Sequence, residues 1–255
     1  MPSRIDHVMI VTPDLEATRR EFDSLGFTVT PRARHPKFGT ANHLCVLQNE
    51  YIELLGLDPD AEPGAQPYAE VAAAIAAGGG VPMVALASDD AHAFGASLRA
   101  AGIPTDDPLT WSRDADTPDG RVTANFTTFL FHADVLPGFL FFCCQQHTRQ
   151  AVWCAPWMQH ANGATGLRGL RREWPQAPSD LTERYRRLVG VPGVTVAGDE
   201  TRVDLRGADV MFRTVPGVER TVLRLTRRAG SPGPAGGSIV PLASLAHAAL
   251  EWCDE

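Results

Sequence analysis

The sequence predicts an α+β fold of tandem βαβββ modules, with a third, degenerate module behind the first two. Three observations carry this. Each predicted helix is followed by several strands rather than one. Two segments open alike, Ile10 to Ala17 against Ala85 to His92, and each leads into a helix closed by glycine, Gly26 and Gly102. A fainter third pass of the same order follows. A doubly wound parallel sheet would need regular one-to-one alternation of strand and helix, and a Gly-rich fingerprint between them is missing.

In chain order, Ile5 to Thr12 is apolar at both odd and even positions, as in a strand covered on both faces. Asp14 caps a helix over Leu15 to Leu25, whose Leu15, Thr18, Phe22 and Leu25 share a stripe, and Gly26 stops it. Strands follow at Phe27 to Thr30, Ala41 to Leu47 and Tyr51 to Leu57. The second module has a strand at Pro82 to Ala87, a helix from its cap at Asp89 to Ala101, and strands near Leu109 to Ser112, Val122 to Phe131 and Gly138 to Gln145. The third offers a strand at Ala164 to Arg171, a helix at Ser179 to Val189 stopped by Gly190, and strands near Val194 to Ala197, Thr201 to Leu205, Val210 to Val215 and Thr221 to Thr226. Gly230 to Gly237 reads as a linker. Leu242 to Trp252, with Leu242, Leu245, Ala249 and Trp252 on one stripe, reads as a terminal helix. The expected organisation is therefore 1–148 as paired modules, 160–228 as the third module, and 229–255 as linker and helix.

Composition narrows the function. The chain has 255 residues, 44% hydrophobic, and a formal charge of -7. That balance, without clustered lysine, argues against nucleic acid, whose phosphates demand a basic footprint. No stretch approaches the roughly 20 apolar residues of a membrane span, and the N-terminus lacks the pattern of a signal or transit peptide, so a cytoplasmic protein is expected. Cys45, Cys143, Cys144, Cys154 and Cys253 lack the spacing of a zinc ribbon or disulfide scaffold and read as buried thiols. No Gly-x-Ser-x-Gly elbow is present, and Cys143 and Cys144 lack a cationic setting, which leaves nucleophilic catalysis without support.

The residues that point to chemistry are His7 and Glu53. A histidine on an apolar strand is ordinarily a hydrogen-bonded core residue. Glu53 changes the reading, because an ionised carboxylate in the apolar strand Tyr-Ile-Glu-Leu-Leu-Gly costs several kcal/mol unless paired or coordinated. Period two puts Tyr51, Glu53 and Leu55 on one face, and a folded sheet can bring Glu53 beside His7. An imidazole and a carboxylate suit zinc, iron, manganese or nickel.

Ile5-Asp-His-Val-Met-Ile-Val-Thr-Pro-Asp-Leu-Glu16, then Leu25-Gly-Phe-Thr-Val-Thr-Pro31, His35-Pro-Lys-Phe-Gly-Thr-Ala-Asn-His43 and Tyr51-Ile-Glu-Leu-Leu-Gly56 resemble the opening module of a glyoxalase-like domain of the vicinal oxygen chelate superfamily. The resemblance is good over residues 4 to 57 and extends to Gln146. It implies half-barrel sheets built from paired βαβββ modules around an open divalent metal site, with His7 and Glu53 as the first module's ligands. The second module departs from the pattern, offering no histidine in its first strand and no carboxylate in its last. Gln145, Gln146 and His147 remain there, with Gln145 and His147 the expected completion of the shell. In such domains the segment containing His35, Thr40 and Asn42 lies near the cavity, so Thr40 and Asn42 are candidate substrate contacts, with His160 closing over them. His35 or His147 is the expected proton carrier, since imidazole titrates near neutrality. His43, His92, His132 and His247 are expected to be structural or exposed.

Two functions follow. One is a metal-dependent enzyme that isomerises, eliminates from or cleaves the ring of a small oxygenated molecule. The other is a metal-free binding or resistance protein, with Trp111, Phe126, Trp153 or Trp157 as apolar walls. The lone third module has an open sheet edge, so pairing with the terminal segment or a second subunit, hence a homodimer, is expected.

Overall fold

In the computed structural model, which describes residues 4–255, the first half of the chain forms one strongly curved sheet. Its elements are β1 (Ile5–Val11), α1 (Leu15–Ser24), β2 (Ala33–His35), β3 (Thr40–Val46) and β4 (Tyr51–Leu57), then α2 (Ala69–Ala76). The second set is β5 (Gly80–Ala87), α3 (Ala91–Ala100), β6 (Leu109–Thr117), β7 (Gly120–Leu130) and β8 (Leu140–Gln146). The strand order is β2-β3-β4-β1-β5-β8-β7-β6. β1 and β5 meet antiparallel at the centre, with β4 parallel to β1 and β8 parallel to β5, so the two modules are related by an approximate twofold axis.

Local chemistry accounts for these elements. The Asp14 carboxylate accepts from the Ala17 N–H at 2.9 Å to start α1, and Gly26, at φ +85°, ends it where a Cβ would press on Asn162 at 3.1 Å. Leu15, Thr18 and Phe22 form its buried stripe. Full burial of Phe22 contributes about 2–3 kcal/mol. α3 is capped by Asp90 rather than Asp89, through the Ala93 N–H at 2.9 Å. β6 runs past Ser112 to Thr117 because the two residues after it close a tight hairpin onto β7, with Thr117 opposite Gly120. No strand forms at Phe27 to Thr30, since the Thr28 N–H is taken by the His160 ring at 3.0 Å rather than by a neighbouring strand. The alanine-rich α2 buries only Val71, too weak a stripe to read from the sequence.

The second half repeats the plan. β9 (Ala164–Trp174), α4 (Leu181–Val189), β10 (Val194–Ala197), β11 (Glu200–Asp204) and β12 (Asp209–Thr214) are followed by β13 (Arg220–Arg227), β14 (Ile239–Pro241) and β15 (Ala248–Asp254). Their order is β10-β11-β12-β9-β13-β15-β14. β9 and β13 are the antiparallel central pair, β12 is parallel to β9, and β15 is parallel to β13. β13 to β15 thus stand where a fourth module would, reduced to three strands without a helix.

The expected terminal helix is therefore a strand. Ala248, Ala249, Leu250 and Trp252 are all buried, and a strand covered on both faces shows no alternation to separate it from a helical stripe. This strand pairs with β13, so of the two expected ways of covering the third module's edge the terminal segment is the one found within the chain. One continuous core joins the halves: Val8, Ile10 and Phe22 share it with Leu170, Phe212, Leu223 and Trp252. Phe27 stacks on Trp252 at 5.7 Å and Phe141 meets Tyr185 at 6.1 Å. Each sheet therefore turns its other face outward.

Candidate functional site

The outward face of the first sheet curls until its edge strands nearly meet, His35 of β2 packing edge-to-face on Trp111 of β6 at 5.9 Å. This encloses a cavity of about 200 Å³, lined among others by His7, His35, Glu53, Trp111, Arg113 and Phe126.

His7 reaches it by the alternation it shares with Met9, and β1 is irregular just before it: Ile5 pairs with Leu86 and His7 with Ala85, so Asp6 is an inserted bulge residue. Asp6 and His7 consequently lie on the same side, and the His7 Nδ1–H donates to Asp6 Oδ1 at 2.6 Å. That bond fixes the orientation of the ring and aims Nε2 at Glu53 Oε2, 3.4 Å away. The ring is stacked on Tyr51 at 4.2 Å and edged by Phe142 at 5.2 Å. Glu53 Oε1 accepts from Asn42 Nδ2 at 2.6 Å. Asn42 Oδ1 and Gln146 Oε1 are buried without a hydrogen-bond partner among the described residues.

His35 is buried, with Nδ1 at 3.1 Å from the Thr40 hydroxyl. Burial pulls its pKa down to about 4, with the charges of Arg113 and His7 adding to the fall and Glu53 opposing it. At neutral pH it is an uncharged hydrogen-bonding ring. Thr40 and Asn42 also line the cavity.

The second module lacks the matching pair. Under the approximate twofold, the antiparallel register that sets Met9 opposite Met83 makes Met83 the counterpart of His7, and the parallel registers make Phe142 the counterpart of Glu53. Both face the cavity. The expected completion is not brought there. Gln145 faces the opposite side of β8, where its Oε1 accepts from the Ala91 N–H at 3.0 Å and its Nε2 donates to the Asp89 carbonyl at 2.6 Å, fastening the start of α3. His147 is exposed, its Nε2 2.8 Å from the Thr127 hydroxyl. His160 does not close over the site either: its Nδ1 accepts from the Thr28 N–H at 3.0 Å and its Nε2–H donates to the Val46 carbonyl at 2.9 Å, tying the second half to the first module.

Alternation instead selects Cys144 and Gln146. Gln146 Nε2 donates to Asp6 Oδ1 at 3.0 Å and lies 3.4 Å from the Tyr51 hydroxyl, bracing the carboxylate that holds His7. Ligand atoms of Asp6, His7 and Cys144 lie within 4.8 Å of one another, but burial pushes the Cys144 thiol well up, with Asp6 adding to the rise, so it is a protonated neighbour. Of the four tryptophan and phenylalanine walls, Trp111 and Phe126 line the cavity, whereas Trp153 and Trp157 pack behind Tyr51 with Val152.

The donor set fits a divalent cation: one oriented imidazole nitrogen, one carboxylate oxygen at ligand-to-ligand spacing, and unpaired amide oxygens nearby.

A family model described as a glyoxalase-like domain matches residues 5–189. Among solved structures, a hypothetical protein from Staphylococcus aureus is similar over 98% of this chain and 99% of its own, with a TM-score of 0.72 at 14% identity. Methylmalonyl-CoA epimerase from Streptomyces coelicolor matches 58% of this chain and 96% of its own, at 22% identity and a TM-score of 0.44. The Mycobacterium tuberculosis protein of the same name matches 59% and 92%, at 19% identity and a TM-score of 0.45. A search of curated proteins gave no match.

Proposed function

The chain belongs to the glyoxalase-like domain family of the vicinal oxygen chelate superfamily, and from that premise we propose that it is a metal-assisted enzyme of isomerase or lyase type, acting on a small oxygenated organic molecule. The observation that carries this is the pairing of His7 with Glu53. With Nδ1 committed to Asp6, two electron-pair donors face each other across 3.4 Å in a buried site, an arrangement that a shared cation satisfies. His7 Nε2 and Glu53 Oε2 would hold the ion, and zinc, iron, manganese and nickel all accept these donors. When bound, it supplies Lewis-acid polarisation of a carbonyl or hydroxyl oxygen.

The chain's own residues do the rest. Asn42 pins the outer oxygen of Glu53 and so fixes the direction of the inner one. His35 and Thr40 offer uncharged hydrogen bonds to a substrate oxygen. Trp111 and Phe126, at 4.8 Å from each other, hold an apolar body and exclude water.

Titration of the chelator-stripped protein with Zn²⁺, Mn²⁺ and Ni²⁺ by calorimetry is the test. One site is expected, weakened more than a hundredfold by His7→Ala or Glu53→Gln. Absence of saturable binding for every ion sinks the metal reading.

A second reading, a metal-free small-molecule binder, is favoured by Met83 and Phe142, which leave only half of a symmetric ligand set. In it a proton lies between Nε2 and Oε2. The same titration separates the two.

A further inference from the structure

Along β6 the alternation of side chains sends Trp111, Arg113 and Ala115 inward: the first two line the cavity, and Ala115 packs in the cluster that contains Phe126. Arg113 is thus carried to the interior of the first sheet by the strand period itself. Its guanidinium has five N–H donors. It makes one hydrogen bond, from Nη1 to the Asp114 carbonyl at 3.3 Å, and lies 5.8 Å from the centroid of the Phe126 ring. Among the described residues no carboxylate comes within 4.0 Å of it.

The arginines on the outward face of the second sheet show what this chain does with an arginine it wants neutralised. Arg171 pairs with Glu173 at 2.9 Å and Glu251 at 2.6 Å, and Arg224 pairs with Asp209 at 2.7 Å and Glu251 at 3.6 Å. Arg113 is half-buried with neither. Burial pulls its pKa down, against the attraction of Glu53 and Tyr51. Arginine does not respond to such stress by losing its proton; the group remains a cation short of an anion.

We infer that Arg113 anchors the anionic group of the ligand, and that the cavity selects a small carboxylate with an apolar, planar body. This rests on the reading that this cavity is the ligand site. A guanidinium takes a carboxylate through two parallel N–H···O bonds, and Trp111 and Phe126 provide the walls for the body. Charge limits the ligand to a monoanion. Glu53 shares the cavity, and the exposed Asp106 and Asp107 line its rim, so one guanidinium faces three carboxylates and a phosphate dianion is disfavoured. The cavity's small volume excludes a bulky, multiply charged carrier from full enclosure.

The test is calorimetric titration, in EDTA, with benzoate and phenylacetate against their uncharged isosteres benzamide and phenylacetamide. The carboxylates are expected to bind the wild-type chain at least tenfold more tightly than the amides. Arg113→Gln should abolish that margin, Arg113→Lys should retain part of it, and neither should alter amide binding. Inorganic phosphate should not displace benzoate. Circular dichroism melts of both variants check that they fold. The inference is overturned if carboxylate and amide bind wild type alike, if neither carboxylate binds, if phosphate displaces benzoate, or if the margin survives Arg113→Gln. Since the chelator removes metal, a carboxylate margin that persists while Zn²⁺ titration shows no site would overturn the metal reading alone.

Discussion

The outward faces of the two sheets are built on the same strand plan and hold opposite contents. On the first, the charged groups are few and only partly matched: His7 and Glu53 face each other at 3.4 Å, and among the described residues no carboxylate lies within 4.0 Å of Arg113. On the second, the same face is filled by an ionic network in which Arg171, Arg220 and Arg224 each pair with at least one of Glu173, Glu251 and Asp209, with Arg202 added to Asp209 from the rim. A face whose arginines are each paired with a carboxylate makes less electrostatic demand on a ligand than one whose arginine is not. The comparison singles out the candidate site by its less complete charge pairing, since the strand plan is shared.

Three measurements break or sharpen it. The largest effect should come from acid. His35 has its pKa lowered from 6.5 to about 4 in the folded chain, so the unfolded chain takes up a proton first as pH falls. Stability is therefore full above pH ~6.5 and declines towards pH ~4, by roughly 3 kcal/mol. Urea unfolding across this range should show the loss, and His35→Gln should remove that part of it; an unchanged slope in the variant would contradict the assignment. Next, Asp209→Asn leaves Arg224 with Glu251 alone and should cost about 2 kcal/mol. It should leave Zn²⁺ titration unaltered, and weakened metal binding would show that the two faces are coupled. The smallest pair concerns neighbours on β8. Gln145→Ala should cost about 1 kcal/mol through the start of α3 without touching metal affinity. Gln146→Leu, which unbraces Asp6, should lower metal affinity about tenfold. Exchange of these two outcomes would mean that the strand faces the other way.

That last pair also marks where sequence reading stops. His7 and Glu53 were legible because each is a polar residue in an otherwise apolar run, and the modules were legible because caps, glycines and strand periods agree. In Phe-Cys-Cys-Gln-Gln-His, period two restricts the inward residues to alternate positions but does not say which set. The pairing of β8 with β5 decides it, placing Phe142, Cys144 and Gln146 inward. Asp6 was hidden because a bulge breaks the alternation used to assign faces. Arg113, in Leu-Thr-Trp-Ser-Arg-Asp-Ala-Asp-Thr, looks like one more polar residue of an exposed strand. Its parity with Trp111 and Ala115 was the available signal. The fourth module was missed because its last strand carries apolar residues on both faces and its helix is absent.

The bulge in β1 has one more consequence. In an unbroken strand, two consecutive side chains cannot meet, because one of them must point through the sheet to the helices. The single inserted residue allows Asp6 and His7 to form a relay between sequence neighbours, so their mutual orientation is set by local chain geometry rather than by distant packing. Restoring perfect regularity to this strand would dismantle the relay while leaving every hydrophobic contact in the core available.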